Sequence, residues 1–380
     1  MRNLRQTRRA TAGSIALAVA VTLSIPGAAH ASVSATPDAT DRAYGKIYAL
    51  GQVGDKTIIG GEFTAAGGKT RYNIALIGPN GVVDTTFKPV VNGPVYAVAG
   101  SADGTKVFVG GVFTSAGGAA RANLAALDAT TGAAIPGWTA DTTGAYPDVR
   151  SLDVHADRLY VGGRYIGIDG TTRKRLAAVD TATGDVITSF NPASNGSLRE
   201  VVVSPDGTKV YAGGVFSVIG GQSRPNHAAE LSAATGAATA FNPALGGGGV
   251  VTIEVAADGS RFFFATENNT VFAYDPNVNA QPVWSRKTSG DTQAMAASPT
   301  GELYIGGHFS QDVTSKQKRP YFASIKIADG SLTSWAPQAT GGSMGVWALM
   351  VEGNHVHAGG VFEYFSGVMQ RAYARFSGKP

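Results

Sequence analysis

Apolar residues in this chain come in short runs, broken every few positions by glycine, aspartate, asparagine or threonine. Val95–Ala99 is one such run. It turns at Asp103-Gly104 into a second run, Lys106–Val109. A loop of about ten residues follows, then Asn123–Leu127 with alternating apolar positions, then another turn at Asp128–Gly132. The unit ends in a segment that closes, in most copies, on an aromatic-x-Pro triplet: Phe87-Lys88-Pro89, Phe190-Asn191-Pro192, Phe241-Asn242-Pro243 and Trp335-Ala336-Pro337. Runs of this length, joined by Asp-Gly and Thr-Gly turns, predict strands paired as hairpins. Each unit therefore reads as four strands, a to d, and the chain as all-β.

The unit repeats. A Gly-Gly-x-aromatic tetrad opens the loop after strand b at Gly60, Gly110, Gly162, Gly213, Gly306 and Gly359, and an eroded copy lies at Ala265-Thr266. Between first positions the spacings are 50, 52, 51, 52, 41 and 53 residues. Four short strands every ~50 residues are the signature of propeller blades. The prediction is a single seven-bladed β-propeller of four-stranded antiparallel blades, spanning residues 32–380. The last repeat has strands a (Val346–Val351), b (Val356–Ala358) and c (Tyr373–Phe376) but no d. Val33-Ser34-Ala35-Thr36-Pro37 resembles the end of a strand d, so the N-terminal strand is expected to close the last blade and leave no bare sheet edge.

The run Gly-Gly-x-Phe-Thr, then Arg, then Leu-Ala-x-Leu-Asp-x-x-Thr-Gly, best preserved over Gly110–Gly132, resembles a bacterial β-propeller repeat family of unknown function, delta-60-repeat-like and more distantly kelch-like. The resemblance extends over residues 40–380 and implies a propeller. It implies no catalytic residue.

Comparing the repeats separates architecture from candidate chemistry. The glycine pair recurs, and so does an arginine ten to thirteen residues later: Arg71, Arg121, Arg173, Arg224, Arg319 and Arg371. A phosphate-binding reading of the glycines fails, since no helix N-terminus follows them. The arginines read as loop pins whose five donors tie carbonyls and a carboxylate together. The second place of strand a varies instead: Tyr48, Tyr96, Arg150, Glu200, Thr252, Gln293 and Trp347. Propeller geometry puts that place near the central axis. Tyr48, Tyr96, Arg150, Glu200, Gln293 and Trp347 are therefore the candidate ligand-binding residues, an aromatic arc facing a charged one. Aromatic faces with polar groups beside them suit a glycan or another flat hydroxylated ligand. In the alternative reading the same side chains plug the channel.

The N-terminus modifies the charge. Arg2, Arg5, Arg8 and Arg9 precede an apolar run from Ile15 to Ile25 and an Ala29-His30-Ala31 cleavage pattern. Residues 1–31 thus read as a signal peptide, too short for a transmembrane helix, and the protein is expected to be secreted and extracellular without a membrane anchor. Arg8-Arg9 leaves twin-arginine export open. Without residues 1–31 the net charge falls from +4 to about 0, which offers nothing to nucleic acid. The chain has no cysteine, so disulfides, thiolate metal sites and cysteine nucleophiles are excluded.

Chemistry is sparse. His355-x-His357 would share a strand face, but nothing is placed to complete a metal site; the expectation is no metal and no cofactor. The Asp-x-x-Thr-Gly turns look like calcium ligands, yet Asp and Gly are what such turns need anyway. Glu200 with Asp148 or Asp291 could form an acid–base pair, with nothing in the spacing to single them out. The expected function is non-catalytic binding, with an extracellular glycan or cell-wall polymer as partner and the protein itself a monomer. A polysaccharide hydrolase or lyase acting at the same mouth, and a scaffold for a protein partner, are the alternatives.

Overall fold

The structure is a computed structural model that describes residues 33–276, 278, 281–342 and 344–378. Residues 1–31, read from the sequence as a signal peptide, lie outside the described residues. Among them every regular element is a strand.

Seven sheets start from an inner strand: Ala43–Val53, Val95–Gly100, Val149–His155, Ser197–Val203, Val250–Val255, Thr292–Ala297 and Gly345–Glu352. Each inner strand pairs antiparallel with the next strand in the chain, which pairs in turn with a third, as Val95–Gly100, Lys106–Gly111 and Leu124–Asp128 do. Neighbouring inner strands pack side by side in chain order, and Gly345–Glu352 packs back against Ala43–Val53. The apolar core lies in layers between adjacent sheets. One layer joins Ile58 and Ile74 of the first sheet to Val107 and Ala125 of the second, and the aromatic-x-Pro residues Phe87 and Phe190 are fully buried in such layers.

The glycine pairs make that packing possible, through space rather than through backbone freedom, since none of them has a positive φ. The first glycine of a pair faces the next sheet. A Cβ on Gly60, Gly110, Gly213 or Gly306 would overlap Val95, Val149, Val250 or Val346 respectively. On Gly359 it would overlap Ile47 of the first sheet, so the contact runs around the ring. In the eroded fifth copy the glycine is Ala265, and the residue at the equivalent place of the next inner strand is the slightly smaller, more polar Thr292.

A regular outer strand beyond the third occurs in one of these sheets, the fifth, which ends with Trp284–Lys287. In five others the fourth segment keeps a single ladder bridge, such as Leu127↔Ala134 or Val179↔Val186. Most of these outer segments end at a proline, which has no N–H to continue a ladder, and they form an exposed edge where short pairing is protective. In the last sheet the N-terminal segment takes that place. Val33 bridges Gly378, and the Ser34 and Asp38 amides donate to the Ser377 and Arg375 carbonyls at 2.9 and 2.7 Å.

Candidate functional site

Each of the seven inner strands carries a bulge near its start. The ladder slips across one residue and leaves it unpaired, a device that re-aims a side chain. The bulged residues are Tyr48, Tyr96, Arg150, Arg199, Val251, Gln293 and Trp347. Aligning the repeats by sequence puts Glu200 and Thr252 at this place; the ladder corrects it to Arg199 and Val251. Glu200 and Thr252 pair with Gly213 and Ala265 and so sit one step further along the strand. Alternating apolar residues give no sign of the slip, because a bulge breaks the period of two on which such counting rests.

All six candidate residues nonetheless come together. Each is half-buried, and all six line two cavities, an outer one of roughly 720 Å3 and an inner one of roughly 280 Å3. The outer volume falls within the usual range for small-ligand sites. Tyr48 is the centre of the aromatic arc. Its ring lies 5.6 Å from that of Tyr96 and 5.4 Å from that of Trp347, both tilted. The Trp347 indole N–H donates to the Met344 carbonyl at 2.6 Å, which fixes its orientation.

Around the outer cavity the charges are paired. Arg199 meets Glu267 at 2.6 Å, His308 lies 3.2 Å from Asp291, and Gln293 donates to the same aspartate. Lys46 and the Tyr48 hydroxyl both reach Glu62 at 3.2 Å. Arg150 and Arg164 share one oxygen of the fully buried Asp148, at 2.9 and 2.8 Å. Glu62, Arg164 and His308 all occupy the variable third place of the Gly-Gly-x-aromatic tetrad, and Glu267 holds the same place in the eroded copy. From this second variable position only Glu267 lines the outer cavity; Glu62, Arg164 and His308 touch groups beside it. The variation of this position from repeat to repeat is the signal that could have found it.

The comparisons with known proteins bear on the fold. A family model described as "Domain of unknown function (DUF5122) beta-propeller" matches residues 55–87. Among solved structures, the crystal structure of the WD40 beta propeller domain of Doa1 superimposes with a TM-score of 0.61 at 14% identity, covering 92% of this chain and 97% of that one. The chain folds as a β-propeller. No curated protein matches it in sequence.

Deeper in the propeller channel, sequence reasoning missed two residues. Asp153 and Glu254 line the inner cavity together with Glu200. Burial pushes all three carboxyls up, Asp153 to about 6, Glu200 to about 7 and Glu254 to about 8, and repulsion from the other two adds to the rise at Glu254. Of the acid–base pairs weighed from sequence, Asp148 is committed to its two arginines, and Asp291 to Gln293 and His308.

The repeated arginines are pins of the propeller wall. Arg71, Arg121, Arg173, Arg224 and Arg319 each donate from Nη1 to the preceding carbonyl, and from Nη2 to a carbonyl thirteen to fifteen residues on. Of the six, Arg371 alone forms an ion pair among the described residues, with Glu363 at 2.7 Å. His357 is buried, 2.9 Å from the Tyr373 hydroxyl, and His355 bonds Ser377. No group of three metal-ligating side chains occurs among the described residues. In the Asp128 turn, the carboxylate is occupied by the Thr130 and Thr131 amides and the Thr131 hydroxyl.

Proposed function

We propose that the protein is a secreted, monomeric, seven-bladed propeller that binds an extracellular glycan or cell-wall component at its central mouth without transforming it. The aromatic arc of Tyr48, Tyr96 and Trp347, opening on the outer cavity together with Arg150 and Arg199, carries this reading. Sugar rings stack on such faces through their C–H groups while hydroxyls bond the polar rim. Propellers commonly serve binding and assembly, so the fold agrees with the role without selecting a partner.

A glycan-array screen of the mature chain, with reducing-sugar release measured on every glycan bound, tests the proposal. Binding without release is expected, and Trp347→Ala should abolish it. Failure to bind any glycan would refute the glycan reading. Sugar release would replace it with a hydrolase or lyase, a reading that one observation favours: Glu200, raised to about 7, keeps a proton available near neutral pH, as a general acid must.

A further inference from the structure

Below the aromatic arc, the inner cavity has an unusual wall. Three carboxyls line it, and each is held from a neighbouring blade. Glu200 accepts the Ser151 hydroxyl at 2.6 Å, Asp153 the Val203 amide at 2.7 Å, and Glu254 the Ala297 amide at 3.3 Å. The first two bonds are short and fix Glu200 and Asp153; the third is long. Among the described residues no cationic side chain forms an ion pair with any of the three.

Independently of the acids, Thr252 lines the same cavity while only 4% exposed. Its hydroxyl makes no hydrogen bond to any described residue and is not one of the sealed, unpartnered polar atoms, so its partner comes from within the cavity, as water or as a guest. It stands at the same level as Glu200, one blade on. The aromatic residues Tyr48, Tyr96 and Trp347 line the cavity as well, and ring faces are electron-rich and attract cations. Arg150 is the one cation among the described residues of this wall, and its Nε is held by Asp148.

The cavity is thus lined by hydrogen-bond acceptors and aromatic rings, with room for a small organic group. No three metal-ligating side chains converge among the described residues, and acceptors set apart in this way suit a cation that spreads its N–H donors over several directions. We propose that the inner cavity takes a primary ammonium group carried on a small organic ligand, with its N–H donors on Glu200 and Thr252 and its adjoining carbons over Tyr48 and Trp347. The carboxyls favour such a guest energetically. Their raised proton affinities reflect burial and mutual repulsion, both of which a bound cation relieves. The ammonium site does not depend on the glycan reading, since an ammonium can be carried by a sugar or by an aliphatic chain.

Calorimetry on the mature protein with three probes, n-butylammonium, glucosamine and glucose, tests it at pH 7 and pH 5. Butylammonium should bind at pH 7 and weaken about tenfold or more at pH 5, as the carboxyls take up protons. Glucosamine should bind more tightly than glucose. Glu200→Gln, which keeps an acceptor for Ser151, should lose about tenfold in butylammonium affinity, the worth of one charged hydrogen bond. Thr252→Val, nearly isosteric, should also weaken it while leaving the thermal midpoint close to that of the parent. Butylammonium binding without any sugar binding would support the ammonium site while counting against the glycan reading. Equal binding of glucose and glucosamine with no binding of butylammonium would overturn the ammonium site and leave the glycan reading standing. Unchanged butylammonium affinity in Glu200→Gln would also overturn it.

Discussion

Asp38 and Arg375, 337 residues apart in the chain, form a 2.7 Å salt bridge that joins the two ends of the propeller. The same carboxylate accepts the Ser377 hydroxyl, and the Gln370 amide donates to the Asp38 carbonyl at 2.7 Å. Nearby, the Trp335 indole N–H donates to the Ser34 carbonyl at 3.0 Å. Residues 33–38 therefore cover the outer edge that the last sheet would otherwise expose, namely Tyr373–Ser377.

Removing residues 33–38 should leave that edge unpaired and the protein prone to aggregation. Size-exclusion chromatography and thermal unfolding of the truncated chain check this. A truncated protein as stable and monodisperse as the parent would mean that closure of the ring does not depend on the N-terminal segment. The milder Asp38→Ala should lower stability by about 1–3 kcal/mol, the usual effect of breaking a charged hydrogen-bond pair that is partly buried.

Arg173 illustrates the wall pins. It is buried and bonds the Thr172 and Thr188 carbonyls at 2.8 and 3.1 Å. Arg173→Ala should cost about 1–3 kcal/mol, because two carbonyls lose their donors. Arg173→Lys should restore little of it, since one ammonium cannot reproduce the planar fork. Urea denaturation of the three proteins gives the comparison, and full rescue by lysine would show that charge alone suffices.

The elements legible in the sequence are those that every repeat must satisfy for the same steric reason. Gly110 has to leave room for Val149, and Gly60 for Val95, so the glycine pairs recur and reveal the ring. The central site is less legible. Tyr48, Tyr96, Arg150, Gln293 and Trp347 are found from their variability, but the bulge that aims them shifts the count by one and hides Arg199 and Val251. Asp153 and Glu254 read as ordinary polar places in a strand, because what holds them is the neighbouring blade, through the Val203 and Ala297 amides. A contact made at one blade boundary and not at the others leaves no repeating pattern. The arginine pins are legible as ties between carbonyls, since their donors outnumber any single partner. The carboxylate expected with them forms an ion pair, among the described residues, with Arg371 alone, which turns to Glu363.

The channel carboxyls make stability depend on pH in a defined direction. Glu200 and Glu254 hold their protons to about 7 and 8 in the folded protein, whereas an unfolded glutamate loses its proton near about 4.3. Between these values the folded state binds more protons, so stability falls as pH rises. His357 acts oppositely. Burial lowers it to about 3, so its contribution is lost as pH falls below its unfolded value of about 6.5. Above pH ~6.5 the carboxyls dominate. From pH ~6.5 to ~8.5 the parent should lose on the order of 1 kcal/mol, reduced from the full linkage value by solvent in the cavity. Glu200→Gln/Glu254→Gln should show a flat profile over that range. Denaturant melts at several pH values check it, and identical slopes for parent and variant would exclude the carboxyls as the cause.

The blade-to-blade contact of Gly110 with Val149 can be tested against the natural exception at Ala265 and Thr292. In that pair the added methyl on one blade is matched by a slightly smaller, more polar residue on the next, and both are fully or almost fully buried. Gly110→Ala alone should be strongly destabilising, by about 1–3 kcal/mol or more, because the new methyl overlaps Val149 in a packed layer. Val149→Ala alone should cost about 1–3 kcal/mol through the cavity it leaves. If the two positions pack as one unit, the double variant should be more stable than the sum of the single effects allows, with a coupling of about 0.5–3 kcal/mol. Additive effects would mean that the wall between blades yields locally and that the glycines are kept for a reason other than the room they leave.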